Sequence, residues 1–324
     1  MKFTIAFSAL MALAQAATLI EVLTSAGSNT LLDLVKSDAP VLTALSTFKG
    51  TLFAPTDDAL AATVKAGFNA SDLTALTQVL TYHAAPAVFS GADFTGSAFL
   101  TTLQGNEIKA TAVNSGIQIQ SAFGTPAANV VKSLPFDGGF VHIVDQTLIP
   151  PSNVVVVAKA ANLSALVDTI VAAGLAETVA GLKNVTILAP TNEAFAAIAA
   201  VAKTLTIDQL KQVLLLHVVP GIVHSTDIVK AKTLNGVATA ATGATLNISF
   251  DGTNVLASGA GNKSPAKVAV ADVFADNVIV HVIDTVLLPQ LGGAPSASTT
   301  SVKASSASVV GAGVAGLLVA ALIA

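Results

Sequence analysis

The alternation of apolar and polar residues follows the same course twice along this chain. Residues 51–60 contain an apolar run, a proline and then a threonine followed by two polar residues of which at least one is acidic, and residues 186–195 repeat this order. In each copy the apolar run predicts a β-strand that ends at the proline, because proline donates no hydrogen bond to a neighbouring strand. The threonine predicts the start of a helix, since its side chain can accept a hydrogen bond from the first turn. The residues that define this strand-to-helix unit are Pro55 and Thr56 in the first copy and Pro190 and Thr191 in the second.

Further landmarks recur in the same order. They are His83 with His217, His142 with His281, and Pro150 with Pro289. Their spacing is nearly constant and exceeds the roughly 20–50 residues of solenoid repeats. The chain of 324 residues therefore predicts two homologous globular domains, each long enough to bury its own core.

The periodicity within each copy predicts helices first and hairpins later. Residues 31–35 and 166–170 have short helical patterns, and Ser71 and Thr206 are placed to start a further helix. Alternating segments broken by glycine and asparagine then predict antiparallel hairpins with one exposed face. The closing strands are residues 140–144 and 278–283, and their apolar character on both faces predicts a central position in the sheet. Helices grouped before hairpins indicate an α+β domain.

Both His83 and His217 lie on the apolar face of a predicted helix. Each follows apolar residues of its helix at helical spacing and precedes a proline that ends the helix. The simplest interpretation is a neutral buried ring that is hydrogen-bonded to backbone, and a metal ligand or catalytic base is the alternative. His142 and His281 fall inside the closing strands and have the same interpretation.

These landmarks resemble the motifs of the fasciclin-like family of extracellular adhesion domains. That family has a Phe-Ala-Pro-Thr strand and helix, a middle Tyr-His pair, and a last strand of the form Val-His-x-Ile-Asp that leads to Leu-x-Pro. The matching residues are 53–56, 82–83 and 141–150 in the first copy and 188–191, 216–217 and 280–289 in the second. Leu188 and Leu216 depart from the Phe and Tyr of the motifs. The resemblance implies two tandem fasciclin-like domains, each a wedge of mostly antiparallel strands flanked by short helices.

In some animal relatives of this family, an Asp-Ile pair before the last motif is linked to integrin binding. The matching position is Asp272, which is followed by a valine, and the first copy has Lys132 and Ser133 there. One copy lacks the acid and the other lacks the isoleucine. We therefore expect Asp272 to be an ordinary loop residue, and it is an adhesion candidate by resemblance alone.

Composition and motifs exclude several classes of function. Only 10% of residues are charged and the net charge is −4, so we expect no nucleic-acid partner. Cysteine is absent from the sequence, which removes disulfides, thiolate nucleophiles and zinc-thiolate sites. The sequence lacks a nucleophile elbow, a phosphate loop and a zinc-protease helix motif, and we predict neither enzymatic activity nor a cofactor. A proline-glycine break separates His217 from His224, which disfavours a shared metal ion.

Both ends of the chain have the character of processing signals. Residues 1–16 contain one lysine and then an apolar run that ends in small residues, which is typical of a secretory signal peptide. The two domains are then predicted at residues 17–150 and 152–290. Residues 291–308 are predicted to form a Ser/Thr/Ala-rich stalk, and the apolar residues 309–324 are typical of a glycolipid (GPI) anchor signal that is removed. The candidates for the attachment residue are Ser296, Ala297 and Ser298.

Five Asn-x-Ser/Thr sequons are candidates for N-glycosylation in a secreted chain. They are Asn69, Asn162, Asn184, Asn247 and Asn262. The sequence thus predicts an extracellular glycoprotein that a lipid anchor holds at the outer face of the plasma membrane or in the cell wall. Its predicted role is adhesion, or contact with proteins or glycans of the cell surface, cell wall or matrix. The alternative function is a surface protein that binds a small ligand, either a lipid or a carbohydrate.

Overall fold

A computed structural model describes residues 17–113 and 116–290 of the chain. The predicted signal peptide, stalk and apolar tail lie outside these residues, as do the attachment candidates Ser296, Ala297 and Ser298. None of the helices in the described part is long and apolar enough to cross a membrane.

The described residues form two compact units. One comprises residues up to 120 together with 126–149, and the other comprises 121–125 and the residues from 150 onward. The helices of the first unit are α1 (Leu19–Ala26), α2 (Asn29–Ser37), α3 (Ala39–Ser46), α4 (Asp57–Lys65) and α5 (Leu73–Tyr82). Its strands are β1 (Gly50–Pro55), β2 (Ala84–Ala85), β3 (Ser97–Thr101), β4 (Glu107–Val113), β5 (Gly116–Gln120), β6 (Ala128–Phe136) and β7 (Gly139–Val144).

The second unit repeats this order with small additions. Its helices are α6 (Val154–Ala160), α7 (Ser164–Ala172), α8 (Ala176–Ala180), α9 (Asn192–Ala197), α10 (Ala199–Ala202), α11 (Ile207–Leu216) and α12 (Ser225–Ala231). Its strands are β8 (Val185–Pro190), β9 (Val218–Pro220), β10 (Thr233–Ala238), β11 (Thr245–Phe250), β12 (Val255–Gly259), β13 (Ala266–Ala275) and β14 (Val278–Ile283).

Each unit, as far as it is described, has one seven-stranded sheet that is antiparallel except for one pair of strands. The strand order is β2-β1-β7-β6-β5-β4-β3 in the first unit and β10-β11-β12-β13-β14-β8-β9 in the second. The parallel pairs are β1 with β7 and β8 with β14. The predicted α+β class is confirmed, and both closing strands, β7 and β14, lie inside their sheets.

The two edges of each sheet approach each other. In the first unit the N–H of Leu103, just beyond β3, donates to the carbonyl of Ala84 in β2 at 2.7 Å. In the second unit the N–H of Ala240, just beyond β10, donates to the carbonyl of Val218 in β9 at 2.8 Å. Each sheet thus curls until its outer strands nearly meet, which limits the edge that another chain could pair with.

Local chemistry sets the start of the helix after the first motif strand. Oγ1 of Thr56 accepts a hydrogen bond from the N–H of Ala59, and Oγ1 of Thr191 accepts one from Ala194, both at 3.2 Å. Pro55 and Pro190 are the last residues of β1 and β8. The strand therefore ends, and the helix begins, within two residues in both units.

The next helix starts differently in the two units. Thr206 caps α11 and forms a reciprocal capping box with Gln209. The cap of α5 is Asp72, whose carboxylate accepts hydrogen bonds from two N–H groups of the first turn. The expectation that Ser71 starts this helix is therefore wrong by one residue, because the neighbouring carboxylate is the stronger acceptor.

The motif positions at which this chain departs from the family pattern are core positions. Phe53 and Tyr82 are fully buried in the first unit, and Leu188 and Leu216 are almost fully buried in the second. The hydroxyl of Tyr82 donates to the carbonyl of Glu107 at 3.0 Å. The leucine at the corresponding position, Leu216, has no polar side-chain atom and needs no such partner. Both leucines therefore keep the core apolar without leaving a polar group unpaired.

Candidate functional site

The histidine that follows α5 or α11 links distant parts of each unit. Nδ1 of His83 donates to the carbonyl of Val79 at 2.7 Å, and its Nε2 accepts a hydrogen bond from the N–H of Leu148 at 2.9 Å. His217 makes the same two bonds in the second unit at the same distances. Each ring joins the end of a helix to the chain just beyond the closing strand.

These bonds fix the protonation of both rings. A backbone N–H can only donate, so Nε2 of His83 is unprotonated and Nδ1 carries the hydrogen. Burial lowers the pKa of His83 to about 4 and that of His217 to about 4, because the interior disfavours the charged ring. Both rings are therefore neutral at pH 7, and both nitrogens of each ring are in use. This arrangement suits a structural role and not a base or a metal ligand.

His142 and His281 each form a hydrogen bond to a second segment of their unit, which contains Phe89 in the first unit and Val223 in the second. Nε2 of His142 donates to the carbonyl of Phe89 at 3.0 Å, and its Nδ1 lies 2.8 Å from Oγ of Ser133. Because the carbonyl can only accept, Nδ1 is the acceptor of the serine hydroxyl. His281 donates in the same way to the carbonyl of Val223 at 2.9 Å. Burial also lowers the pKa of His142.

A buried threonine that the sequence analysis did not single out holds the same segment. Oγ1 of Thr51 donates to the carbonyl of Ala87 and accepts the N–H of Phe89, both at 2.8 Å. Thr186 makes the corresponding pair of bonds in the second unit. Thr51 and Thr186 could have been identified from the sequence, because a threonine recurs at the same position in both copies of the motif strand.

Asp272 is not the ordinary loop residue that we expected. It lies in β13 at an irregularity of the strand pairing, with φ of 56°, and is only 6% exposed. Its carboxylate accepts the N–H of Ser225 at 2.8 Å and the hydroxyl of Ser225 at 2.5 Å. Its own N–H donates to Nδ1 of His281 at 3.2 Å. Aspartate tolerates this left-handed backbone better than most residues, and here its carboxylate supports the start of α12.

The described ranges contain no group of three or more histidine, aspartate or glutamate side chains that could hold a metal ion. The two histidines considered as a pair in the sequence, His217 and His224, have different hydrogen-bond partners. Nδ1 of His224 lies 3.3 Å from the carboxylate of Asp227, whereas the ring of His217 is bonded to backbone at both nitrogens.

The sequon asparagines differ in what their side chains do. Four of them are exposed: Asn69, Asn162, Asn184 and Asn247. Asn262 is half-buried, and its Nδ2 donates to the carbonyl of Val286 while its Oδ1 accepts the N–H of Leu288, both at 2.8 Å. An N-linked glycan would be attached to that same Nδ2 atom. Asn262 therefore has a structural role that a glycan would disturb.

Comparison with known proteins identifies the family. The family model of the fasciclin domain matches residues 6–150 and 161–289. The chain belongs to the fasciclin family and contains two tandem copies of its domain. This family is generally non-enzymatic and is associated with adhesion or structure.

Relatives of this chain occur in fungi and in animals. CTB11, a fasciclin-like arabinogalactan protein of Cercospora beticola, is 27% identical over 54% of this chain and 45% of its own length. elcF, a fasciclin-like arabinogalactan protein of Phaeosphaeria nodorum, is 26% identical over 74% of this chain and 77% of its own length. Human periostin is 30% identical over 52% of this chain and 20% of its own length. This chain therefore spans less than half of CTB11 and of periostin.

A solved structure of a FAS1 domain pair from the insect cell adhesion molecule fasciclin I covers 83% of this chain and 98% of its own chain. The sequence identity is 17% and the TM-score is 0.40.

Proposed function

We propose that this chain is a non-enzymatic cell-surface glycoprotein whose two domains mediate adhesion, or contact with the cell wall or matrix. The observation that carries the proposal is the duplication of one domain whose core histidines serve the fold. In both copies the rings of His83 and His217 are neutral, buried and bonded to backbone. Two domains on one chain increase avidity even when each contact is weak. The association of the family with adhesion supports the same role.

The proposal includes an extracellular location and a lipid anchor. The sequence of residues 1–16 supports secretion. The glycolipid would be joined to the carboxyl group of Ser296, Ala297 or Ser298, and the whole peptide after that residue, including residues 309–324, would leave. The residues from 291 to the attachment residue would remain as the stalk. An anchored stalk would place both domains at the outer face of the membrane, where cell-wall and matrix partners are accessible.

Glycosylation is the third part of the proposal. The four exposed sequon asparagines are available for N-linked glycans, and the serines that remain in the stalk for O-linked ones. CTB11 and elcF are named arabinogalactan proteins, which supports carbohydrate on this chain as well. Glycans would add hydrophilic surface to a chain in which only 10% of residues are charged.

The anchor can be tested in a host cell that attaches GPI anchors. Phosphatidylinositol-specific phospholipase should release the full chain from the cell surface. A matched variant that lacks residues 309–324 should be secreted into the medium without phospholipase. A mature protein that still contains residues 309–324 in its mass spectrum would contradict the anchor.

The adhesive role is tested separately, in the cells that naturally make the protein. Deletion of the protein from these cells should reduce their aggregation, and unchanged aggregation would count against adhesion.

A further inference from the structure

The second unit contains an apolar cavity of about 40 Å³ between α6, α7, α8, α11 and the sheet. Apart from His217, every residue of its wall is aliphatic. Both ring nitrogens of His217 are already bonded to backbone atoms. A cavity without a free donor or acceptor holds water poorly and is filled favourably by hydrocarbon.

The cavity lies where the second unit has smaller side chains than the first. Both α1 and α6 begin directly after a capping residue, so Leu19 corresponds to Val154 and Leu23 corresponds to Ala158. Leu23 is 1% exposed in the core of the first unit, whereas Ala158 and Val154 line the cavity. Replacing a buried leucine by alanine leaves a void that the surrounding structure fills only in part.

The cavity lies close to the surface of the second unit. Three of the residues in its wall, Val155, Ala161 and Val179, are half-buried and not fully buried. They belong to α6, to the turn after it and to α8. A ligand could therefore enter on this side without unfolding the sheet.

Two exposed positions on the outer surface of these helices are also apolar. Val156 in α6 is 48% exposed and Val171 in α7 is 59% exposed. The corresponding residues of the first unit are the charged Glu21 and Lys36. At these two positions the second unit exposes hydrocarbon where the first unit exposes charge, and α6, α7 and α8 each also carry one exposed charged residue.

We propose that this cavity binds the end of an unbranched alkyl chain, which a membrane lipid or a free amphiphile could supply. The volume corresponds to roughly three water-sized groups and is about a quarter of the ~150 Å³ that accommodates benzene, so a chain end fits and a six-membered ring does not. The wall offers no charged side chain, so a polar headgroup stays outside. The inference does not depend on the adhesive role, and it favours the small-ligand alternative for the second unit.

The test uses the purified full chain and two photoreactive probes. One probe is a fatty acid with a diazirine at its last carbons, free in solution. The other is a phosphatidylcholine with the same group on its acyl chain, in vesicles. After illumination, mass spectrometry maps the labelled peptides. We expect at least one probe to label residues 154–179 in preference to residues 19–46, and the probe that labels identifies the source of the chain.

Two variants make the test specific. Ala158→Leu restores the residue of the first unit and should lower labelling of residues 154–179 at least about tenfold. Leu23→Ala opens the corresponding position in the first unit and should introduce labelling there. If Ala158→Leu does not fold, Val154→Leu is a second variant that reduces the cavity. Failure of both probes to label the wild-type cavity, or unchanged labelling in the folded cavity-filling variant, would overturn the proposal.

Discussion

Nε2 of His83 accepts a hydrogen bond from the backbone N–H of Leu148 at 2.9 Å, across 65 residues of sequence. The second unit repeats the bond between His217 and Leu287 at 2.9 Å, across 70 residues. Both donors and both rings are buried. The bond therefore fastens the last segment of each unit to its central helix, and its loss leaves a buried N–H without a partner.

Substitution of His83 by alanine should destabilise the first unit by about 2–5 kcal/mol, because it removes two buried hydrogen bonds and leaves a cavity. The sequence has one tyrosine and no tryptophan, so the fluorescence of the buried Tyr82 reports on this unit. We expect the urea midpoint of the Tyr82 signal to fall. His217→Ala is the matched control and should leave that midpoint near the wild-type value. A Tyr82 midpoint that is unchanged in His83→Ala would contradict the structural role.

Acid should destabilise both units through these histidines. The pKa of each buried ring is about 4 in the folded chain and near 6.5 when unfolded, so the unfolded chain binds more protons between these values. The free energy of unfolding is therefore highest above about pH 6.5. It falls as the pH drops towards 4, by on the order of 3 kcal/mol for each ring. Urea unfolding from pH 7 to pH 4.5 measures this loss. His83→Gln should make the Tyr82 unfolding transition less dependent on pH. If the unfolding free energy of that variant depends on pH as strongly as that of the wild type, His83 is not the cause of the acid sensitivity.

Substitution of Asp272 by alanine should destabilise the second unit by about 2–4 kcal/mol, because Ser225 loses two hydrogen bonds and alanine is strained at a φ of 56°. Asp272→Asn tolerates the backbone and keeps one acceptor, so its effect should be smaller. Calorimetric melting of both variants measures which one is destabilised more. If Asp272→Ala melts like the wild type but abolishes adhesion, the acid is a binding residue after all.

Substitution of Thr147 by valine should stabilise the first unit. Oγ1 of Thr147 is buried and has no hydrogen-bond partner among the residues that the structure describes, and the corresponding position of the second unit is Val286. Valine has the same shape without the unsatisfied hydroxyl, so we expect a gain of about 1 kcal/mol. The Tyr82 transition in urea measures it, with the exposed Thr95→Val as the control. A lower midpoint in Thr147→Val would show that the hydroxyl does have a partner in solution.

The parts of the fold that depend on local chemistry were predictable from the sequence. The proline that ends β1 and the threonine that caps α4 act on residues within one turn, so their pattern alone identifies them. The burial of His83 follows from its spacing to the apolar residues of α5. The closing strands could be placed inside the sheet because both their faces are apolar.

Features that depend on contacts distant in sequence were not predictable. The parallel pairing of β1 with β7 is set by the packing of the whole unit, and neither strand indicates its partner. Asp272 was expected in a loop because an irregularity of strand pairing has no clear signature among neighbouring small residues. The cavity at Ala158 exists only once four helices and a sheet are packed together.

The most direct test of the adhesive account is a binding assay with beads that carry the purified, glycosylated two-domain protein. We predict that these beads aggregate with one another or attach to cells and cell-wall fragments, whereas beads that carry the heat-unfolded protein remain dispersed. The assay is repeated after enzymatic deglycosylation, which separates contacts made by the domains from contacts made by glycans. Beads with the folded protein that neither aggregate nor attach, before and after deglycosylation, would contradict the account.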